Sequence, residues 1–224
     1  MPAIKQNVFK HLLSFVKEIQ LETTSGDHSD SLEVVLFEGR YMLNTPDATY
    51  SFQDRYSSYR TALKVIAEEI KTINSVLVLG LGMGSIPQML QKLHNYKGEI
   101  DCVEFDSVII KLAEKYYPSS QELSKLIIHK QDAYEWVMTN EKKFDLIAVD
   151  LFINKYVPKP FHQKEFLIRL KETLSDRGVL LFSRLKENQF AEQQLWKNLE
   201  DVFEEGNDIH TGGNLIYTFK SSSL

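Results

Sequence analysis

SVLVLGLGMGSIPQML, running from Ser75 to Leu90, is the stretch on which the reading of this chain turns. An aliphatic run, Val76 to Leu79, enters glycines at Gly80, Gly82 and Gly84, then leaves as an amphipathic segment through Ile86, Met89, Leu90 and Leu93. That order predicts a buried strand, a tight turn and a helix whose N-terminus faces back over the strand end. Glycine tolerates positive φ and lets a ligand approach the backbone without meeting a Cβ. The free N–H groups at the helix start favour the polar or anionic end of that ligand.

Spacing narrows the ligand. A dinucleotide fingerprint reads G-x-G-x-x-G, and its sixth position is Ser85 here, which disfavours a nicotinamide cofactor. The pattern that stands, G-x-G-x-G, resembles the S-adenosylmethionine (SAM) loop of class I methyltransferases and their aminopropyltransferase relatives. Gly80, Leu81, Gly82, Met83 and Gly84 are accordingly the expected cofactor-loop contacts.

With 224 residues, the chain fits one α/β domain plus a small extension. Its net charge of −5 gives no electrostatic case for nucleic acid, and no apolar run is long enough to span a bilayer. The first residues, MPAIKQNVFK, lack the apolar core of a signal peptide, and Cys102 is the lone cysteine. His94, His129 and His162 are too scattered for a metal site. These features together predict a cytoplasmic protein without a metal.

Two regions differ in rhythm. Residues 1–57 read as an N-terminal β-extension, with strand candidates over Phe15–Thr24, Leu32–Phe37 and Tyr41–Asn44, the last two joined by a turn at Glu38-Gly39-Arg40. A helix over Asn7–Lys17 competes for the start. Residues 58–224 read as the ligand-binding domain. A helix over Tyr59–Lys71 precedes the first long strand, and strands are then expected at Val76–Leu79, Glu99–Glu104, Lys125–His129, Leu146–Asp150 and Val179–Ser183. Helices fall between them near Ser85–Leu93, Ser107–Tyr117, Ala133–Asn140 and Gln163–Leu174, with another over Glu187–Phe203. Gly178 reads as the turn closing one of these helices. Strands separated by crossover helices imply a parallel sheet covered on both faces. At the end, Asp208–His210, Thr211-Gly212-Gly213-Asn214 and Leu215–Lys220 read as a β-hairpin. The expected fold is therefore a Rossmann-like, doubly wound, seven-stranded sheet of SAM-methyltransferase type.

Ligands of such sheets sit at the carboxyl ends of the strands. The second strand ends at Glu104, followed by Phe105, roughly twenty residues past the glycine turn, where a carboxylate accepts both ribose hydroxyls. The third runs into Asp132 and Ala133; Asp132 can cap the next helix, accept from an adenine amino group, or do both. The fourth ends at Asp150, which either orients or deprotonates an amine nucleophile or positions the loop behind it. Lys155 to Phe161, carrying Pro158 and Pro160, is a candidate lid over this end.

VLVLGLGMGS, VEFDSVIIKLAEKYYP, QDAYEW and FDLIAVDLF, in this order and spacing, resemble successive motifs of the spermidine synthase family. The resemblance runs from about Ser75 to Ser183, and Thr211-Gly212-Gly213 and the segment Tyr50–Tyr56 are also similar. It implies a domain binding SAM, decarboxylated SAM or their thioether products, with Gly80, Gly82 and Gly84 in the cofactor loop. It also implies Glu104 on the ribose, Asp132 and Ala133 at the adenine, and Asp150 as the catalytic acid at the reaction centre. A dimer built on the N-terminal β-unit is a further family-level implication.

Two departures shape the functional expectation. The family's loop carries an aspartate where Met83 stands, and its D-S-x-D motif reads Asp150-Leu151-Phe152-Ile153. Burying cationic aminopropyl and diamine groups needs compensating carboxylates. The expectation is therefore a SAM-dependent, methyltransferase-like transferase of the spermidine synthase-like group, acting on a small-molecule acceptor less cationic than a diamine. An aminopropyltransferase using decarboxylated SAM and a non-catalytic nucleoside-binding module are the alternatives.

Overall fold

The computed structural model describes residues 8–118, 120–123, 125–186, 192–211 and 214–221. It opens with a short helix α1 (Val8–Leu13) and a four-stranded antiparallel sheet, β1 (Ile19–Thr24), β2 (Leu32–Phe37), β3 (Arg40–Asn44) and β4 (Thr49–Ser51). A single 3-10 turn over Gln53–Arg55 leads into α2 (Ser57–Val65) and α3 (Ala67–Ile70). Strands and helices then alternate through β5 (Ser75–Leu79), α4 (Ser85–Leu93), β6 (Glu99–Glu104), α5 (Ser107–Tyr116), α6 (Ser120–Leu123), β7 (Leu126–Lys130), α7 (Ala133–Thr139), β8 (Phe144–Val149), α8 (Lys164–Thr173) and β9 (Leu174–Leu185). Helix α9 (Gln193–Val202) and the hairpin β10 (Asn207–His210) and β11 (Asn214–Lys220) complete the chain.

The main sheet is the seven-stranded one expected, in the order β10-β11-β9-β8-β5-β6-β7. Strands β5 to β9 pair in parallel, and β11 joins β9 antiparallel with β10 at its outer edge. Because side chains alternate along a strand, each central strand supplies both faces. Val76, Val78, Cys102 and Ala148 pack under α2 and α4, whereas Leu77, Leu79, Ile147 and Val149 pack under α7, α8 and α9. Tyr59 is fully buried in α2, and its hydroxyl donates to the Val149 carbonyl at 2.7 Å.

Several local expectations need correction. The first strand begins at Ile19, not Phe15, because Val8–Leu13 forms a helix. Strand β4 and the turn after it were not anticipated; the β4 run, Thr49–Ser51, is too short to show periodicity. The helix after residue 57 breaks at Ile66 into α2 and α3. At the α8–β9 junction the left-handed residue is Arg177, at φ +67°, not Gly178. There β9 bulges: Leu174 pairs with Phe144 while Val179 pairs with Leu146. Residues 187–191 of the expected Glu187–Phe203 helix, and Gly212 and Gly213 in the hairpin turn, lie outside the described residues.

The N-terminal sheet leans on the main domain through a separate core of Leu32, Val34, Tyr41, Leu43, Ile109 and Leu112. Polar contacts lock it there. Asp27 N–H donates to Asp106 Oδ2 at 2.8 Å, Ser107 N–H returns to Asp27 Oδ2 at 3.1 Å, and the Ser51 and Ser85 hydroxyls meet at 2.7 Å. Ser85, the residue that breaks the dinucleotide fingerprint, also accepts from the Phe52 N–H at 2.9 Å. Its position thus has an architectural use.

Candidate functional site

The carboxyl ends of β5, β6, β8 and β9 open into a cavity of about 730 Å³, roofed by the β1–β2 loop, β4 and the start of α2. That volume is in the range of sites that enclose small molecules. Gly80 and Gly82 line it, at φ +91° and +53°. A Cβ on Gly80 would lie 2.4 Å from the Asp150 carbonyl, and one on Gly82 would lie 3.2 Å from the Tyr50 carbonyl. The chain's own packing therefore demands glycine at both positions, in addition to any need for ligand approach.

The other loop residues do not line the cavity. Leu81 is buried under α4 and offers its backbone, its N–H donating to Glu104 Oε2 at 3.2 Å. Met83, 1% exposed, packs with Leu32, Leu36 and Leu43 in the N-terminal core. Gly84 faces the Tyr117 ring. Met83 was expected to set the electrostatics of the pocket; its side chain points into that core.

Glu104 ends β6 and is 6% exposed. Its Oε1 accepts from the Asp106 N–H at 3.1 Å. Burial pushes its carboxyl up to about 7, against the pull of backbone N–H groups from Asp106, Leu81 and Gly82. Phe105 also lines the cavity, its ring 4.5 Å from that of His28 on the β1–β2 loop. Asp132 caps α7, accepting from the N–H groups of Tyr134 at 2.8 Å and Glu135 at 3.2 Å. Its neighbours Gln131 and Ala133 line the cavity.

Asp150 follows β8 on the other side of the glycine turn. Its Oδ1 is buried and accepts no hydrogen bond. Burial pushes the carboxyl up to about 7, and the facing hydroxyls of Tyr56 and Ser183 work the other way. Ser183 is itself oriented by Asn214, whose Nδ2 donates to the Ser183 Oγ at 2.9 Å. Such a carboxylate can take a proton near neutral pH and can face a cationic or proton-bearing group. Ile153, three residues on, lines the cavity and forms a bridge with Tyr156. The loop is held from both sides: Asn154 N–H donates to the Tyr50 hydroxyl at 2.6 Å, and Val157 N–H donates to Glu192 Oε1 at 2.9 Å.

Sequence reasoning missed Ser183 and Asn214, and left Tyr56 open between the site and core packing; its hydroxyl faces Asp150. Ser183 ends the strand expected at Val179–Ser183, which in the structure is the longer β9, Leu174–Leu185; the strand-end rule applied to Glu104 and Asp150 would have found it. Tyr56 reaches the site only through packing of the N-terminal unit, which leaves no periodic trace.

A model of the spermine/spermidine synthase domain matches residues 57–208, about two thirds of the chain. The chain belongs to this family. Among curated relatives, the polyamine aminopropyltransferase of Vibrio vulnificus is 34% identical over 109 residues, covering 47% of this chain and 36% of that protein. The polyamine aminopropyltransferase of Alkaliphilus metalliredigens is 24% identical over 165 residues, covering 68% and 58%. The chain thus spans well under two thirds of the length of these relatives. Among solved structures, a spermidine synthase in complex with the transition state analogue AdoDATO is similar with a TM-score of 0.74 at 17% identity, covering 92% of this chain and 74% of that one. Human methyltransferase-like protein 13 in complex with SAH is similar with a TM-score of 0.62 at 20% identity, covering 72% and 82%. At these identities the structural likeness shows the fold.

The methyltransferase expectation is overturned. The curated relatives are polyamine aminopropyltransferases. Its physical premise also fails at Met83, whose side chain belongs to the N-terminal core. Family membership gives the chain a domain of spermine/spermidine synthase type.

Proposed function

We propose that this chain is an aminopropyltransferase whose donor is decarboxylated SAM. The observation that carries the reading is the buried, unpartnered Oδ1 of Asp150 at the wall of a cavity that also holds Glu104 and the glycine turn. Gly80, Gly82, Glu104, Phe105, Asp132 and Ala133 would hold the nucleoside end. When bound, the donor supplies an aminopropyl carbon activated by the adjacent sulfonium.

Glu104 is fixed by backbone N–H groups, so it offers its remaining lone pairs to the ribose hydroxyls in one orientation. Asp150, ionised, takes one proton from the incoming acceptor ammonium and frees the nitrogen lone pair. That lone pair forms the N–C bond as the C–S bond breaks, with the C–S electron pair leaving on sulfur as a neutral thioether. The product nitrogen keeps its remaining protons, and Asp150 passes its proton to solvent. Positioning of the two reactants supplies much of the rate. The enclosing wall is completed by Tyr50 and the loop after β8. We assign this activity to the cytoplasm, in line with the sequence expectation.

The test is release of the thioether nucleoside from decarboxylated SAM when amines are added, compared between the native chain and Asp150→Asn. Release by the native chain and its loss in the variant are expected. Equal release by both would remove Asp150 from the chemistry, and no release with any amine would overturn the reading.

A further inference from the structure

The loop after β8 supplies the cavity wall next to Asp150. Leu151, Phe152, Ile153 and Asn154 line the cavity. The loop is built around one tight turn, where Ile153 and Tyr156 exchange backbone hydrogen bonds at 3.0 and 3.2 Å across Asn154, left-handed at φ +56°. That turn must in turn be fixed to the body of the protein. Asn154 is tied to Tyr50 in the N-terminal unit, and the Val157 N–H donates to Glu192 Oε1 at 2.9 Å.

Glu192 is an unusual tether. It is 1% exposed and stands at the N-cap of α9, where a side-chain oxygen ordinarily accepts from the first N–H groups of its own helix. Here it caps nothing: Oε1 is spent on the loop, and Oε2 is buried without a partner. A buried carboxyl left half satisfied costs stability. Burial pushes it up, while the Val157 N–H and the charge of Arg184 act the other way. The N-terminus of α9 favours the same negative charge.

Arg184 is buried as well, at 5% exposure, with its Nε unpartnered and its guanidinium 4.2 Å from the centre of the Trp196 ring on α9. Side chains alternate along β9, so Ser183 faces Asp150 while Arg184 faces α9. The loop, the end of β9 and the start of α9 thus meet at these two charges. We propose that Glu192 is a positioning residue: with Arg184 as its counter-charge, it holds Val157 and so sets the wall at residues 151–154 against the acceptor. The part played in acceptor binding rests on the aminopropyl-transfer reading; the hold on the loop does not.

The test compares two substitutions in the full chain. Glu192→Gln keeps an oxygen for the Val157 N–H, and Glu192→Leu removes it. Amide hydrogen exchange across residues 151–157 is expected to quicken roughly tenfold or more in Glu192→Leu and to stay within about twofold of native in Glu192→Gln. KM for 1,4-diaminobutane, with decarboxylated SAM as donor, is expected to rise roughly fivefold or more in Glu192→Leu. Affinity for 5′-methylthioadenosine, measured by calorimetry, is expected to change less than about twofold, because the nucleoside residues lie across the glycine turn. Glu192→Leu leaves Arg184 buried alone, so Glu192→Leu/Arg184→Met, which removes both charges, is measured beside it and is expected to show the same fast exchange and raised KM. Native-like exchange in the leucine variants, or exchange as fast in Glu192→Gln as in Glu192→Leu, overturns the hold on the loop. Fast exchange with an unchanged KM, or with thioether affinity lost to the same degree, overturns the positioning role. If the native chain releases no thioether with any amine, aminopropyl transfer falls, and the exchange comparison still decides whether Glu192 holds the loop.

Discussion

Glu104 and Asp150 end the two strands that flank β5, and burial pushes both carboxyls up to about 7, yet they are held in different ways. Backbone N–H groups grip both oxygens of Glu104. Asp150 has a buried oxygen with no partner and only side-chain hydroxyls beside it. A carboxylate fixed by the main chain is suited to reading a ligand's shape. One with an unused buried lone pair is suited to exchanging a proton or facing a cation. The same sheet thus presents a rigidly held carboxylate in one half and a loosely held one in the other, on either side of one glycine turn, which under the proposed function would serve binding and reaction.

Substitutions at the two acids are the strongest way to break this contrast. Asp150→Asn is expected to lower kcat by roughly 10²–10⁴-fold, the usual worth of a general base, while thioether affinity changes little. Glu104→Gln is expected to do the opposite, weakening nucleoside binding by about 1.5–3 kcal/mol with a smaller effect on kcat at saturation. Calorimetry with 5′-methylthioadenosine beside steady-state kinetics separates the two. If both variants lost binding equally, the halves would not be distinct.

The pH response sharpens the comparison. Asp150 must be ionised to accept a proton, so kcat/KM is expected to rise as pH climbs through about 7 and then level. Stability has the opposite sign. Both carboxyls hold protons in the folded state that the unfolded chain releases near pH 4, so these two groups make stability fall as pH rises from about 4 to 7. Melting curves across that window are expected to be flatter for Glu104→Gln than for the native chain. An unchanged slope would mean that Glu104 is ionised throughout.

A smaller effect is expected where the two halves share a roof. Tyr50→Phe removes the hydroxyl that accepts from Asn154 and is expected to cost about 0.5–1.5 kcal/mol, read as a lower melting temperature. Gly82→Ala, at φ +53° and crowded by the Tyr50 carbonyl, is expected to cost about 1–2 kcal/mol by the same measurement.

The two halves were also unequally legible in the sequence. Val76–Leu79 and Leu146–Val149 are buried on both faces, so they read as unbroken aliphatic runs, and the strand-end rule then reached Glu104 and Asp150. Tyr56 and Asn214 meet the site only through pairings distant in the chain. Met83 shows the limit of motif reasoning. Its place in the loop was plain, but side-chain direction depends on the N-terminal sheet that buries it.

The most direct test of the account offers the chain decarboxylated SAM and SAM together with an amine and identifies the product by mass spectrometry. The account predicts an amine extended by an aminopropyl group, formed from the decarboxylated donor and abolished by Asp150→Asn. A methylated amine, or an unmodified one in the presence of both donors, would contradict it.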